Sequence, residues 1–176
     1  MNDAAEIRHA TEADAAPLAE FAARCFSDTY ATVNDPTDMA LHLARTFGAD
    51  IQAREIADPT CACLLAIVEG KIAGYTVIRK GVAHASVVGD RPCEVRRFYV
   101  DHAWHGRGLA PALMTAACAA ASARGAATLW LTAWEENPRA LGFYAKMGFR
   151  DVGVATFLLG SSPQRDRVLA LSLEAG

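Results

Sequence analysis

One stretch, "CEVRRFYVDHAWHGRGLAPALMTAACAAASARG" at residues 93–125, constrains the fold of this chain more than any other. Its first part, 93–100, is rich in β-branched and aromatic residues and reads as a strand. A turn carrying Gly106 and Gly108 follows. An alanine-rich run comes next, with Leu109, Leu113, Ala116, Ala117 and Ala120 on one side, and reads as a helix. Gly125 after Arg124 suits its C-terminus. A helix that opens directly from a glycine turn gathers unpaired N–H groups and the positive end of its dipole in one place. Gly106 and Gly108 remove the Cβ atoms that would hold a phosphate away, and Arg107 adds a charge able to pair with one. The turn therefore predicts a site for a pyrophosphate or similar group. On these residues alone a purely structural turn stays open as the alternative, because glycine is the commonest turn residue.

The rest of the chain supplies the setting. "EIRHA" predicts a first strand, and residues 12–30 a helix with Leu18, Phe21, Ala22 and Cys25 at helical spacing. A second helix starts at Asn34 or Asp35 before Pro36 and stops at Gly48. A short third one runs over 50–58, closed by Pro59. The period then changes. Residues 61–68 and 72–80 form a hairpin through "EGK", and 81–92 is a loop. After the central helix, 128–133 is a buried strand. Residues 137–147 form a helix with Asn137 as N-cap, Pro138 at its first position and Gly148 beyond its end. Residues 149–159 and 166–174 close the chain as strands. The tally is mixed α/β, with strand–helix–strand–helix–strand in the second half.

Composition bounds the function. A chain of 176 residues with 52% hydrophobic and 21% charged residues fits one soluble domain over 1–176. A net charge of −3 argues against a general nucleic-acid partner. No apolar run approaches 18 residues, so no membrane span is expected. The opening "MNDAAEIRHATEADA" lacks the basic and apolar parts of a secretory signal. The cysteines are Cys25, Cys61, Cys63, Cys93 and Cys118, an odd number without a C-x-x-C pair. They suggest buried thiols rather than disulfides or a metal site, and a cytoplasmic location.

Two common phosphate motifs do not fit. The G-x-x-x-x-G-K-[ST] loop is absent. A dinucleotide fingerprint would need a third glycine where Pro111 stands, and an acidic residue about 20 positions on that is missing.

The pair "EVRRFYVDHAWHGRGLAPAL" and "NPRALGFYAKMGF" resembles the GNAT superfamily of acyl-CoA-dependent N-acetyltransferases. That family's loop, [QR]-x-x-G-x-[GA], falls on His105, Gly106, Arg107, Gly108, Leu109 and Ala110. His105 departs from the pattern, and Pro111 withdraws one amide. "FSDTYATVNDPTDMALHLARTF" and "LWLTAWEENPRALGFYAKMGF" are similar to the PaiA-type polyamine N-acetyltransferases. The resemblance implies a mostly antiparallel mixed sheet of about seven strands flanked by helices, with a splayed parallel β4/β5 pair. It implies acetyl-CoA as co-substrate, no metal, and a small-molecule amine such as spermidine or spermine as acceptor. A homodimer is compatible with it. A protein N-terminus, a lysine, an aminoglycoside or a catalytically silent acyl-CoA-binding module are the alternatives.

It also implies roles for residues. The amides of 106–110 grip the diphosphate, and the strand edge at Phe98, Tyr99 and Val100 holds the pantetheine arm as an added strand. Tyr144, in the position of the family's tyrosine, is the expected general acid. Asn137 caps its own helix and contacts the cofactor. Glu94, at the start of the central strand, is the expected base through water, because an alkyl ammonium (pKa about 10.4) must lose a proton. Trp134, with Glu135 and Glu136 after it, is expected to draw in a cationic acceptor, and Asp28 and Tyr30 to wall its site.

Overall fold

The computed structural model describes residues 5–173. The readings of Met1–Ala4 and of Glu174 as a strand end lie outside the described residues. The elements, in chain order, are β1 Glu6–His9, α1 Ala15–Tyr30, α2 Pro36–Thr46, α3 Ala49–Ala57, β2 Cys61–Val68 and β3 Lys71–Lys80. They continue with β4 Pro92–Val100, α4 Leu109–Ala123, β5 Thr128–Trp134, α5 Pro138–Lys146, β6 Arg150–Leu159 and β7 Ser162–Ser172.

All seven strands join one sheet in the order β1-β2-β3-β4-β5-β7-β6. Only β4 and β5 run parallel. This is the expected mixed α/β fold. The alternation of side chains divides its core in two. Cys63, Leu65, Tyr75 and Val77 face α1, α2 and α3. Ala62, Ile78, Val95, Leu129 and Leu131 face α4 and α5. Cys61 and Cys63 share the first of these faces, and all five cysteines are free. Burial pushes the Cys63 thiol up to about 12.

Helix α4 lies close to the sheet because its inner face is small. Ala117 and Ala121 are fully buried beside Leu113 and Met114. Gly74 of β3 completes the approach: a Cβ there would stand 3.1 Å from the Tyr99 carbonyl and 3.4 Å from Leu113.

Two boundaries differ from expectation by three residues or more. The first helix begins at Ala15, preceded by a 3-10 turn over Glu12–Asp14. Asp14 draws the chain into that turn by accepting from the Thr11 amide and from Arg8. Strand β7 starts at Ser162 rather than Asp166. Residues 162–165 pair only with β6, and β5 joins from Asp166 onward. A segment with one partner strand buries little, so its sequence carries no apolar alternation.

Candidate active site

Strands β4 and β5 are neighbours only over Pro92–Glu94 and Thr128–Trp130. Beyond that point they diverge, and the sequence-adjacent cause is a bulge. Val77 faces Arg97 while Ile78 faces Val95, which leaves Arg96 as an extra residue in β4. A bulge bends its strand and increases its twist. The result is a wedge between residues 95–100 and 131–134, about 1200 Å³ with its open mouth included. Arg97 anchors the bent strand, its guanidinium 2.9 Å from Glu55 of α3 in a nearly buried ion pair.

The free edge of β4 can be read from its bonds. The Asp101 amide donates to the Ala73 carbonyl, and the Arg97 carbonyl accepts from the Thr76 hydroxyl, both toward β3. Backbone direction alternates along a strand, so the groups of Phe98 and Val100 point into the wedge. His105 Nε2 donates to the Val100 carbonyl at 2.9 Å. That leaves the Phe98 N–H and C=O and the Val100 N–H facing the gap, as a pseudo-peptide ligand needs.

At the wide end stands the glycine turn. Gly106 and Gly108 have φ of 74° and 83°, the left-handed region that favours glycine. A Cβ on either would meet no protein atom within 4 Å. Among the described residues, no carbonyl pairs with the amides of Gly106, Gly108, Leu109 or Ala110. Pro111 contributes none, and the first helical bond runs from Ala112 to Gly108. The cradle is therefore formed, open, and made of backbone. The Leu109 side chain is buried in the core, so only its amide is offered. The Arg107 guanidinium lies 5.4 Å from the centre of the Trp104 ring and outside the wedge.

Three phenols meet inside. Tyr30, Tyr99 and Tyr144 all line the wedge and lie within electrostatic reach of one another. Burial pushes each of them above the usual phenol range. Tyr144 is only 9% exposed, packed against Phe98, Phe143 and Phe149. Asn137 caps α5 by accepting from the Ala140 amide at 3.1 Å, and it also lines the wedge.

An adjoining cleft shares Tyr30, Trp134 and Asn137 with the wedge and adds Asp28 and Glu136. The Tyr30 and Trp134 rings are 6.0 Å apart.

Besides Arg107, two expected site residues lie elsewhere. Glu94 lines neither cleft. It belongs to the last paired position before the splay, opposite Trp130, where the two strands are still zipped. Burial, the largest influence there, pushes its carboxyl up. Glu135 turns away to Arg165, 3.3 Å distant, and Glu136 takes the place at the cleft. Sequence reading also passed over Asp166 of β7, 6% exposed, which lines neither cleft but lies opposite Trp134, which lines both. The signal was the alternation in "DRVLALS", which puts Asp166 on the same face as the buried Val168.

The family model described as "Acetyltransferase (GNAT) family" matches residues 18–149. An uncharacterized N-acetyltransferase of Mycobacterium bovis is 34% identical over 160 residues, covering 91% of this chain and 98% of the relative. An uncharacterized N-acetyltransferase of Lactobacillus delbrueckii subsp. lactis is 30% identical over 168 residues, covering 96% and 97%. Among solved structures, the PaiA N-acetyltransferase of Thermoplasma acidophilum in complex with coenzyme A superposes with a TM-score of 0.79 at 18% identity, covering 96% of this chain and 99% of that one.

Proposed function

This chain belongs to the acetyltransferase (GNAT) family, and on that premise we propose that it transfers an acetyl group from acetyl-CoA to a primary amine of a polyamine such as spermidine or spermine. The observation that carries the donor half is the cradle of unpaired amides at Gly106, Gly108, Leu109 and Ala110, set at the mouth of a splayed strand pair. The acceptor half rests on Asp28 and Glu136 beside the aromatic pair Tyr30 and Trp134. Acidic and aromatic groups together suit an extended polycation. The likeness in fold to a PaiA enzyme holding coenzyme A supports the same reading.

Acetyl-CoA supplies an acyl group activated as a thioester. The amides of the cradle bind its diphosphate with the help of the helix dipole. The edge groups of Phe98 and Val100 align the pantetheine arm, and one of these N–H groups stabilises negative charge developing on the acyl oxygen. Tyr144 donates its hydroxyl hydrogen toward the departing sulfur. A thiolate in the same desolvated wedge is also raised in pKa, which narrows the gap between the two. The ammonium proton leaves through water. Glu94 serves as the end of that relay from the closed end of the strand pair, its carboxyl raised by burial toward the proton affinity a base needs. The five free cysteines favour a reducing compartment such as the cytoplasm.

The test is CoA release and product mass with acetyl-CoA and spermidine, beside a panel of monoamines, aminoglycosides and lysine peptides. Preferential turnover of spermidine is expected. Folded protein that binds CoA yet acetylates none of the amines overturns catalysis, and preference for a peptide overturns the acceptor class.

A further inference from the structure

Asp166 is not used by the chemistry above, yet its position is unusual. It is 6% exposed in the middle of β7. Its cross-strand neighbours are Trp134 on β5 and the small Ala155 on β6. Directly paired residues project to the same face, so the carboxylate shares the face that carries Trp134. Thr132, which lines the wedge, is the polar side chain beside it.

Among the described residues no cation neutralises it. The arginines flanking it in sequence project to the opposite face and are already engaged: Arg165 with Glu135, and Arg167 with Asp151 at 2.7 Å. Among the described residues no ion pair includes Asp166. The groups beside it are the Thr132 hydroxyl and the Tyr30 phenol of α1, neither of them positive; Glu135, turned toward Arg165, acts on it only as a like charge. Burial pushes its carboxyl above the usual range, and Glu135 adds to the shift. A buried carboxylate without a cation is costly, and mutation would readily remove it unless an arriving cation offsets the cost.

We propose that Asp166 is the counter-ion for a second ammonium of the acceptor, a positioning residue that selects a diamine over a monoamine. Asp166 itself lines neither cleft, so the ammonium comes to it between Thr132 and Trp134, the neighbours that do line the wedge. This assignment rests on the acetyltransferase reading for its biological sense, but it can be measured without turnover.

The experiment is calorimetric titration at pH 8 with 1,4-diaminobutane and with butylamine, on the wild-type protein and on Asp166→Asn and Asp166→Glu. The wild type is expected to bind the diamine at least tenfold more tightly. Asp166→Asn loses that preference while its butylamine affinity stays within twofold. Asp166→Glu, which keeps the charge, keeps the preference. An unchanged ratio in Asp166→Asn, or equal loss in both variants with folding intact, overturns the proposal. If Asp166→Asn does not fold, the wild-type melting temperature decides: a diamine that raises it no more than butylamine does overturns the proposal. A parallel CoA titration separates the two ideas. Wild type that fails to bind CoA overturns the acetyltransferase reading, while the diamine comparison still decides the role of Asp166.

Discussion

His105 Nε2 lies 2.9 Å from the carbonyl oxygen of Val100, tying the first residue of the glycine turn to the last residue of β4. A carbonyl can only accept, so this shorter bond puts the proton on Nε2, and the Arg139 guanidinium 3.3 Å from the same nitrogen, itself only a donor, is left as a neighbouring charge. Nδ1 is then bare, and it is buried without a partner. Burial, with Arg139 next in weight, holds the imidazole below its ordinary pKa, so the ring is neutral. At this position, where the family pattern has Gln or Arg, the side chain secures a strand edge and adds no charge to the cradle.

Replacing this bond should weaken CoA binding without abolishing it. For His105→Ala we expect the Kd for CoA to rise about tenfold, the value of one hydrogen bond of roughly 1.4 kcal/mol. His105→Gln, whose amide can donate to the same carbonyl, should recover most of the loss. Because a depressed histidine pKa keeps the ring neutral above the ordinary value, CoA affinity in the wild type should show no histidine-linked rise as pH falls from 9 to 7. Calorimetry across that range checks both points.

Gly108→Ala tests the cradle itself. The left-handed φ of 83° costs a non-glycine residue about 1–2 kcal/mol, even though no protein atom lies within 4 Å of the new Cβ. Gly81→Ala is the control, with φ of 79° and equally open surroundings, but outside the cradle. The two variants should melt at similar temperatures. Only Gly108→Ala should lose CoA affinity, by more than tenfold, because its methyl occupies space the free amides face. Equal CoA affinity in the two would show that no ligand approaches this turn.

Tyr144→Phe removes the hydroxyl from a phenol that packing already fixes. Turnover should fall about 100-fold, within the usual range for a general acid, while CoA affinity changes less than twofold. A raised acid pKa preserves the protonated form to higher pH. The wild-type kcat should therefore show no alkaline limb from this group up to about pH 10. Steady-state kinetics on both proteins decide the matter: a limb near 10 that vanishes in Tyr144→Phe would contradict the raised pKa, and unchanged turnover in Tyr144→Phe would contradict the general-acid role.

Far from the site, Asp14 sets a pH dependence of stability. Arg8 donates to both its carboxylate oxygens, at 2.9 and 2.8 Å, and Thr11 adds its amide and hydroxyl. These bonds, that of Arg8 first, hold the Asp14 carboxyl well below the usual range. A depressed carboxyl stabilises the fold above its unfolded pKa, and the contribution disappears as pH falls through the lower folded value. Arg8 is partly exposed, so solvent screens the pair and its contribution is small. Asp14→Asn should lower stability at pH 7 and progressively less below about pH 4 in denaturant titrations.

Sequence alone determined what is local. The strand, glycine turn and alanine-rich helix at 93–125 follow from neighbouring residues, as do the caps at Asp35 and Asn137, because periodicity, φ preference and capping act within a few positions. A turn that leaves backbone amides free depends only on local residues, so its geometry was legible in the sequence. What depends on strand register was not. The bulge at Arg96 decides that β4 and β5 part after Glu94, which opens the wedge and leaves Glu94 on its zipped side. The pairing of Asp166 with Trp134 across β5 and β7 joins residues 32 positions apart. A register shift of one residue would have turned either side chain to the other face, and only the packed sheet fixes that choice.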